Sequence, residues 1–80
     1  MAMVWSGDKM AAARAKKGLT LLQLANELKS RGWNAASRQY LSDIEHGQHC
    51  PSLERAVLLA DALGVAVEDL LSRGRKPVVL

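Results

Sequence analysis

The chain has 80 residues, of which 49% are hydrophobic and 24% charged, with a formal net charge of +3. This length favours one globular domain, and the composition excludes disorder over most of the chain. Apolar runs such as residues 56–60 are far shorter than the roughly 18 residues that a membrane span needs, and no segment resembles a signal peptide, so we expect a soluble cytoplasmic protein.

Apolar residues recur with a period near 3.6 between the glycines, which predicts an all-α fold. The first predicted helix begins at Ser6 or Asp8, since either side chain can cap it, and it ends near Lys17. Gly18 then suits the left-handed residue that closes a helix. Met10 is expected to face the core.

The second predicted helix begins at Thr20, because Thr20 and Gln23 have the spacing of a capping box, and it ends near Ser30. Its apolar residues are spaced i, i+3, i+4 and i+7, and they are Leu21, Leu24, Ala25 and Leu28. Residues 31–36 form a connector in which Trp33 is expected to be buried.

The third predicted helix extends from its cap, Ser37, to His46, with Leu41 and Ile44 as its few apolar positions and Gly47 as its closing residue. A helix with so few apolar residues buries only a narrow face. Its remaining positions are therefore available for contact with a ligand.

The fourth predicted helix begins at Pro51 and Ser52 and ends at Gly64. The residues expected on its inward face are Leu53, Ala56, Val57, Ala60 and Leu63. A short fifth helix is expected to cover the core with Val67 and its neighbours Leu70 and Leu71.

These elements predict a five-helix domain at residues 8–72, preceded by an arm at residues 1–7 and followed by a basic and apolar tail at residues 73–80. The tail is either frayed or an extended dimer arm. Helix 5, its preceding loop and the tail are the expected dimer interface.

Charge is segregated along the chain. Seven basic and two acidic residues precede Gln39, six acidic residues and one arginine lie in residues 39–72, and the tail adds three basic residues. A one-sided basic surface suits a polyanion such as nucleic acid, although a solvated surface with accidental clustering is the alternative.

Arg14 and Glu45 each lie at the edge of an inward-facing stripe, where an unpaired charge is costly. We therefore expect these two side chains to form an ion pair between helices 1 and 3. The alternative is that each reaches water independently.

The opposite side of helix 3 carries a polar stripe that packing does not require. Its residues are Gln39, Ser42, Asp43 and His46, with Arg38 at the helix start. Arginine can donate two hydrogen bonds to guanine, and glutamine can form two with adenine, so this face suits base reading. An ordinary solvated helix face is the alternative for each residue.

Several segments together carry a family resemblance. They are Arg14-Ala-Lys-Lys-Gly18-Leu-Thr20-Leu-Leu-Gln-Leu24-Ala25, Ser37-Arg-Gln-Tyr-Leu41-Ser-Asp-Ile44-Glu45-His-Gly47, Pro51-Ser-Leu53, and Ala60-Asp-Ala-Leu63-Gly64-Val65. In this order they resemble the Cro/cI-type helix-turn-helix family, also called the xenobiotic-response-element family, over about residues 8–72. The resemblance implies a lambda-repressor-like, bacterial or phage-encoded transcription regulator that binds double-stranded DNA as a homodimer on a palindromic operator, with helix 3 in the major groove.

The resemblance also implies roles for individual residues. Those implied to face bases are Arg38, Gln39, Ser42 and Asp43. Those implied to lie near phosphates are Thr20, Tyr40, Gln48 and His49, the last two in the loop of residues 47–50. The Arg14 and Glu45 pair belongs to the same pattern. Repression and activation are both open.

The chain departs from the family pattern at two places. Leu21 stands where the family commonly has a polar residue that touches the DNA backbone, so packing is expected to claim it. Between Ala25 and Ser37 the chain has about five residues more than the compact family turn. Lys29 and Arg31 are then placed to contact a phosphate strand, unless this segment is an ordinary surface loop.

Other functions have weaker support. His46, His49 and Cys50 lie close together, but they have no fourth partner for a zinc site, so we expect no metal and no cofactor. No catalytic constellation is evident, so we do not expect an enzyme. The alternative to DNA binding is an antitoxin or adaptor with a protein partner, for which the expected apolar contacts are Leu21, Leu58 and Val78 to Leu80.

Overall fold

Four α-helices form in residues 3–73, which are the residues that the computed structural model describes. They are α1 (Gly7–Lys17), α2 (Leu21–Ser30), α3 (Arg38–Glu45) and α4 (Leu53–Leu63). Each begins at a capping side chain that accepts a hydrogen bond from the backbone N–H three residues later, and the caps are Ser6, Thr20, Ser37 and Ser52. Of the two candidate caps for α1, Ser6 is the one used. The helical fold is confirmed, and its helix starts follow these local caps.

The predicted fifth helix is a single 3₁₀ turn at Val67–Leu70. Leu71, expected to extend that helix, instead begins the short strand β2 (Leu71–Arg73), which pairs antiparallel with β1 (Met3–Trp5). This sheet joins the two ends of the described chain. The backbone N–H of Ser6 continues the connection by donating to the Leu70 carbonyl oxygen at 2.9 Å.

The hydrophobic core lies between the four helices, the connector and the 3₁₀ turn. Its largest fully buried side chains are Met10, Leu24, Leu28, Leu41, Ile44, Leu59 and Leu70. Each of them stabilises the fold by about 1.5–3 kcal/mol through burial. Trp33 and Ala36 of the connector are also buried, so the longer connector is packed against the domain.

The predicted inward face of α4 is partly wrong. Leu53 is 76% exposed and Val57 is 41% exposed, whereas Leu59 and Ala62 are buried. The buried stripe of α4 is therefore rotated relative to the prediction. Because apolar residues surround most of this helix, their spacing did not identify the side that packs.

None of the helices in residues 3–73 has the length and apolar character that crossing a membrane requires. The tail predicted at residues 73–80, with its apolar contacts Val78 to Leu80, lies outside the described residues apart from Arg73.

Candidate nucleic-acid interface

The C-terminal end of α3 is held by an ion pair with α1. Arg14 Nε and Nη2 donate to the two carboxylate oxygens of Glu45 at 2.6 and 3.1 Å. A third nitrogen, Nη1, donates to the Leu19 carbonyl oxygen at 2.9 Å. The Glu45 side chain is only 7% exposed and that of Arg14 21% exposed. The hydrogen bond that Arg14 donates to Glu45 raises the pKa of Arg14 above its usual value, against a smaller effect of burial, so the guanidinium stays charged.

The N-terminal end of α1 approaches the same end of α3. A Cβ atom at Gly7 would overlap the Glu45 carbonyl oxygen and would come within 2.7 Å of the Ile44 carbonyl oxygen. Only glycine permits this approach. Together with the ion pair, this contact fixes the position of α3 relative to α1.

The outward side of α3 carries the residues that were predicted to read bases. Leu41 and Ile44 anchor the helix in the core, and Arg38 and Gln39 are exposed in its first turn. Ser42 and Asp43, one turn later, are half-buried. These four polar side chains therefore lie on a short helix whose apolar residues are buried in the core.

Asp43 is engaged by two of its neighbours on this side. Gln39 Nε2 donates to Asp43 Oδ1 at 3.0 Å, and His49 Nε2 lies 3.8 Å from Asp43 Oδ2. The carboxylate thus links the first turn of α3 to the loop that follows it. After this bond, Gln39 keeps its carbonyl oxygen and one amide hydrogen for another partner.

Most of the residues expected near phosphates are exposed. Thr20 is exposed, and its side chain accepts a hydrogen bond from the Gln23 N–H at 3.1 Å in the capping box. Arg31 donates from Nε to Glu27 Oε2 at 2.9 Å. Lys29, Gln48 and His49 are exposed, and Tyr40 is half-buried.

A line of aromatic rings in contact, which we call the aromatic column and in which Trp33 and Tyr40 meet edge to face, was not predicted from the sequence. It consists of Trp33, Tyr40 and His49: the Trp33 and Tyr40 ring centroids are 5.8 Å apart and those of Tyr40 and His49 5.5 Å apart. The Arg55 guanidinium carbon lies over it, 5.0 Å from the Trp33 centroid and 6.0 Å from that of Tyr40. The sequence feature that pointed to this cluster is that Arg55 is the one basic residue in the acidic segment of residues 39–72.

A second surface is an open apolar groove between the connector and α4. Its lining residues are Arg31, Gly32, Leu53, Glu54, Val57 and Leu58. The apolar residues that were expected as protein contacts, Leu21 and Leu58, are half-buried and pack against the core, and Leu58 also lines this groove. Leu53 and Val57 are the more exposed apolar residues of the groove.

His46 and His49 have polar or aromatic partners of their own. His46 Nδ1 lies 2.7 Å from the Ser42 carbonyl oxygen, and the His49 ring stacks on Tyr40. Within residues 3–73, no three metal-ligating side chains come together as a potential metal site.

Comparison with known proteins adds a family match. Residues 10–70 match the family model described as Helix-turn-helix. The chain is 38% identical over 76 residues to a putative HTH-type transcriptional regulatory protein of Aeropyrum pernix, a match that covers 91% of this chain and 21% of that protein.

Two further relatives are similar over most of the chain. An immunity repressor protein of Bacillus phage phi105 is 35% identical over 65 residues, which cover 81% of this chain and 41% of that protein. The HTH-type transcriptional regulator DdrOP3 of Deinococcus deserti is 38% identical over 64 residues, which cover 80% of this chain and 45% of that protein. The chain thus spans less than half the length of each of these relatives.

Proposed function

The chain belongs to the helix-turn-helix family, of the Cro/cI and xenobiotic-response-element type, and on this premise we propose that it is a transcription regulator that binds a specific sequence of double-stranded DNA. In this proposal α3 lies in the major groove. The observation that carries the proposal is the outward face of α3, with Arg38 and Gln39 exposed and without a role in packing.

Arg38 and Gln39 have the chemistry for direct base reading. A guanidinium donates two parallel hydrogen bonds to the O6 and N7 atoms of guanine, and a carboxamide pairs in the same way with N6 and N7 of adenine. Gln39 retains one donor and one acceptor while bonded to Asp43, so it can still form the adenine pair. Each such pair discriminates against the wrong base by about 1–3 kcal/mol.

Asp43 acts in this proposal by orienting Gln39. Its carboxylate accepts a hydrogen bond from the amide nitrogen of Gln39, which fixes which end of the amide is a donor. Because the Asp43 carboxylate already accepts this hydrogen bond, it is less available than the exposed Arg38 side chain for direct contact with a base. Ser42 stays a proposed base contact.

We also propose that two copies bind a palindromic operator. An α3 of eight residues covers one half-site only. Two such helices enter successive turns of the major groove on one side of the DNA when they are about 34 Å apart. The relative named as an immunity repressor supports repression as the outcome of binding.

Substitutions separate base reading from phosphate contact. Arg38→Ala or Gln39→Ala should relax base preference at particular positions of the site. Lys29→Ala or Arg31→Ala should weaken binding to all sequences alike and reduce its dependence on salt. Fluorescence anisotropy with a selected duplex and a scrambled duplex measures both effects. If the Arg38 and Gln39 variants kept the wild-type preference, α3 would not be the base-reading element.

A protein ligand is the second candidate function, because Leu53 and Val57 expose an apolar surface at the groove beside the connector. This function is distinguished by salt: binding to DNA weakens steeply as salt rises, whereas binding through an apolar groove does not.

A further inference from the structure

We infer that Arg55 contacts a DNA phosphate and that the long connector serves to hold it there. This inference rests on the proposed DNA binding by α3. It assigns a role to the single arginine of the acidic segment, which the family resemblance leaves without one, and a further role to the enlarged connector.

The first observation is how Arg55 is held. Its guanidinium lies 5.0 Å from the centroid of the Trp33 ring and 6.0 Å from that of Tyr40, so two rings restrict its motion. Trp33 comes from the connector and is 5% exposed, which makes it a rigid support. The attraction between the guanidinium charge and these aromatic rings holds the group at this position.

The second observation is that Arg55 lacks an acidic partner despite acidic surroundings in the sequence. Among residues 3–73, no carboxylate oxygen lies within 4.0 Å of its side-chain nitrogens, although Glu54 is its direct neighbour and other arginines such as Arg14 and Arg31 are paired. The charge of Arg55 is therefore available to an anion from outside the chain.

The third observation is where the aromatic column leads. From Arg55 the contacts pass through Tyr40 to His49, and His49 lies 3.8 Å from the Asp43 carboxylate on the face of α3 that carries Gln39. Arg55 is thus at the rim of the proposed base-reading face. A phosphodiester beside the major groove is the anion that this position meets when α3 enters the groove.

The indole beside Arg55 comes from the enlarged connector. The extra residues bring Trp33 to the start of α4, where its ring is covered by the Arg55 side chain. A guanidinium fixed before binding loses less conformational freedom when it contacts a phosphate. The connector therefore acts through Arg55, in addition to any direct contact by Lys29 or Arg31.

The test measures binding of wild-type protein, Arg55→Gln, Arg55→Lys and Lys16→Gln to a selected duplex at several salt concentrations. Lys16 is an exposed residue of α1 that lies beside Leu63 and Gly64, at the opposite end of α4 from Arg55, so its substitution removes the same charge at a distance from Arg55. For Arg55→Gln we expect affinity to fall about tenfold for specific and scrambled duplexes alike. The slope of log K against log salt should fall by about 0.9, the value for one phosphate.

Arg55→Lys should keep the wild-type salt slope while losing part of the affinity, because an ammonium keeps the charge but lacks the planar group that packs against the rings and offers a phosphate two parallel hydrogen bonds. Lys16→Gln should change neither quantity measurably. If Arg55→Gln retained the wild-type slope, or if Arg55→Lys lost the slope as fully as Arg55→Gln, the phosphate contact would be refuted. If the wild-type protein itself preferred no sequence, the proposed function would fail instead, and the two failures are distinguishable.

Discussion

Arg14 of α1 donates two hydrogen bonds to Glu45, the last residue of α3, at 2.6 and 3.1 Å. These residues are 31 positions apart in the chain, so the contact fixes one helix relative to another rather than stabilising a single helix. Glu45 is nearly buried and Arg14 mostly so, which makes each charge dependent on the other. By fixing α3 relative to α1, this contact also fixes the direction in which the outward face of α3 points.

Removing either partner should destabilise the fold. We expect Arg14→Ala and Glu45→Ala each to lower the free energy of unfolding by about 2–3 kcal/mol, because each leaves a largely buried charge unpaired. The double variant should lose less than the two single losses together, with a coupling energy of about 1–3 kcal/mol. Urea unfolding followed by circular dichroism gives these values. Glu27→Ala, which breaks the exposed pair with Arg31, is the control and should cost under about 1 kcal/mol. A coupling energy of zero between Arg14 and Glu45 would contradict this role.

Gly7 should be intolerant of a side chain. Gly7→Ala places a methyl group against the carbonyl oxygens of Ile44 and Glu45, so we expect a loss of about 1–3 kcal/mol in unfolding free energy. Gly18→Asn is the matched control, because open space surrounds its Cβ position and asparagine tolerates the positive φ of 77° there. The melting temperatures of both variants and of the wild type, measured by thermal unfolding, test this prediction. Equal melting temperatures for Gly7→Ala and wild type would show that α1 and α3 can separate at no cost.

Much of the fold could be predicted because helix ends depend on neighbouring residues. Ser37 and Ser52 cap α3 and α4, and Gly18 and Gly64 close α1 and α4 with φ of 77° and 72°. The pairing of β1 with β2 could not be predicted, because strands of three residues show no periodicity and depend on contact between distant parts of the chain. The packing side of α4 was misassigned for a related reason, since its apolar residues lie on most of its circumference.

The corrected packing of α4 can be tested by comparing two of its leucines. Leu59 is fully buried and Leu53 is 76% exposed. Leu59→Ala should lower the unfolding free energy by about 3 kcal/mol, whereas Leu53→Ala should change it by no more than about 0.5 kcal/mol. Urea unfolding of the two variants compares them directly. A loss of unfolding free energy for Leu53→Ala comparable to that for Leu59→Ala would show that Leu53 packs in the core, as predicted from the sequence.

Asp43 should affect DNA binding through Gln39. Asp43→Ala frees the Gln39 amide to rotate, so we expect the preference at the base pair read by Gln39 to fall about threefold. Affinity for all sequences should rise slightly, because a negative charge near the phosphates is lost. Asp43→Asn, which keeps an acceptor for Gln39, is the control and should retain the preference.

The decisive comparison for Asp43 is made in a Gln39→Ala background, with duplexes that differ at single base pairs. There Asp43→Ala should cause no further loss of preference, because the residue that it orients is gone. An additional loss at the same base pair would show that Asp43 itself contacts the base.

The candidate site was predictable only where the sequence carries a local pattern. Gln39 and Asp43 are spaced i, i+4 on one helix, and Arg14 and Glu45 each interrupt an apolar stripe, so these positions could be identified before the structure. The contacts of Trp33 with Tyr40 and Arg55 join the connector to α3 and α4. No spacing rule relates residues in three separate segments, so this cluster appears only in the folded chain.

Selection of bound sequences from a random pool of DNA duplexes, at low and at high salt, tests most directly whether α3 reads bases. We predict enrichment of an inverted repeat whose half-site centres are about 10 base pairs apart, with binding that weakens steeply at the higher salt. If no sequence is enriched at either salt concentration, then the outward face of α3 does not recognise DNA sequence, and the proposed function is wrong.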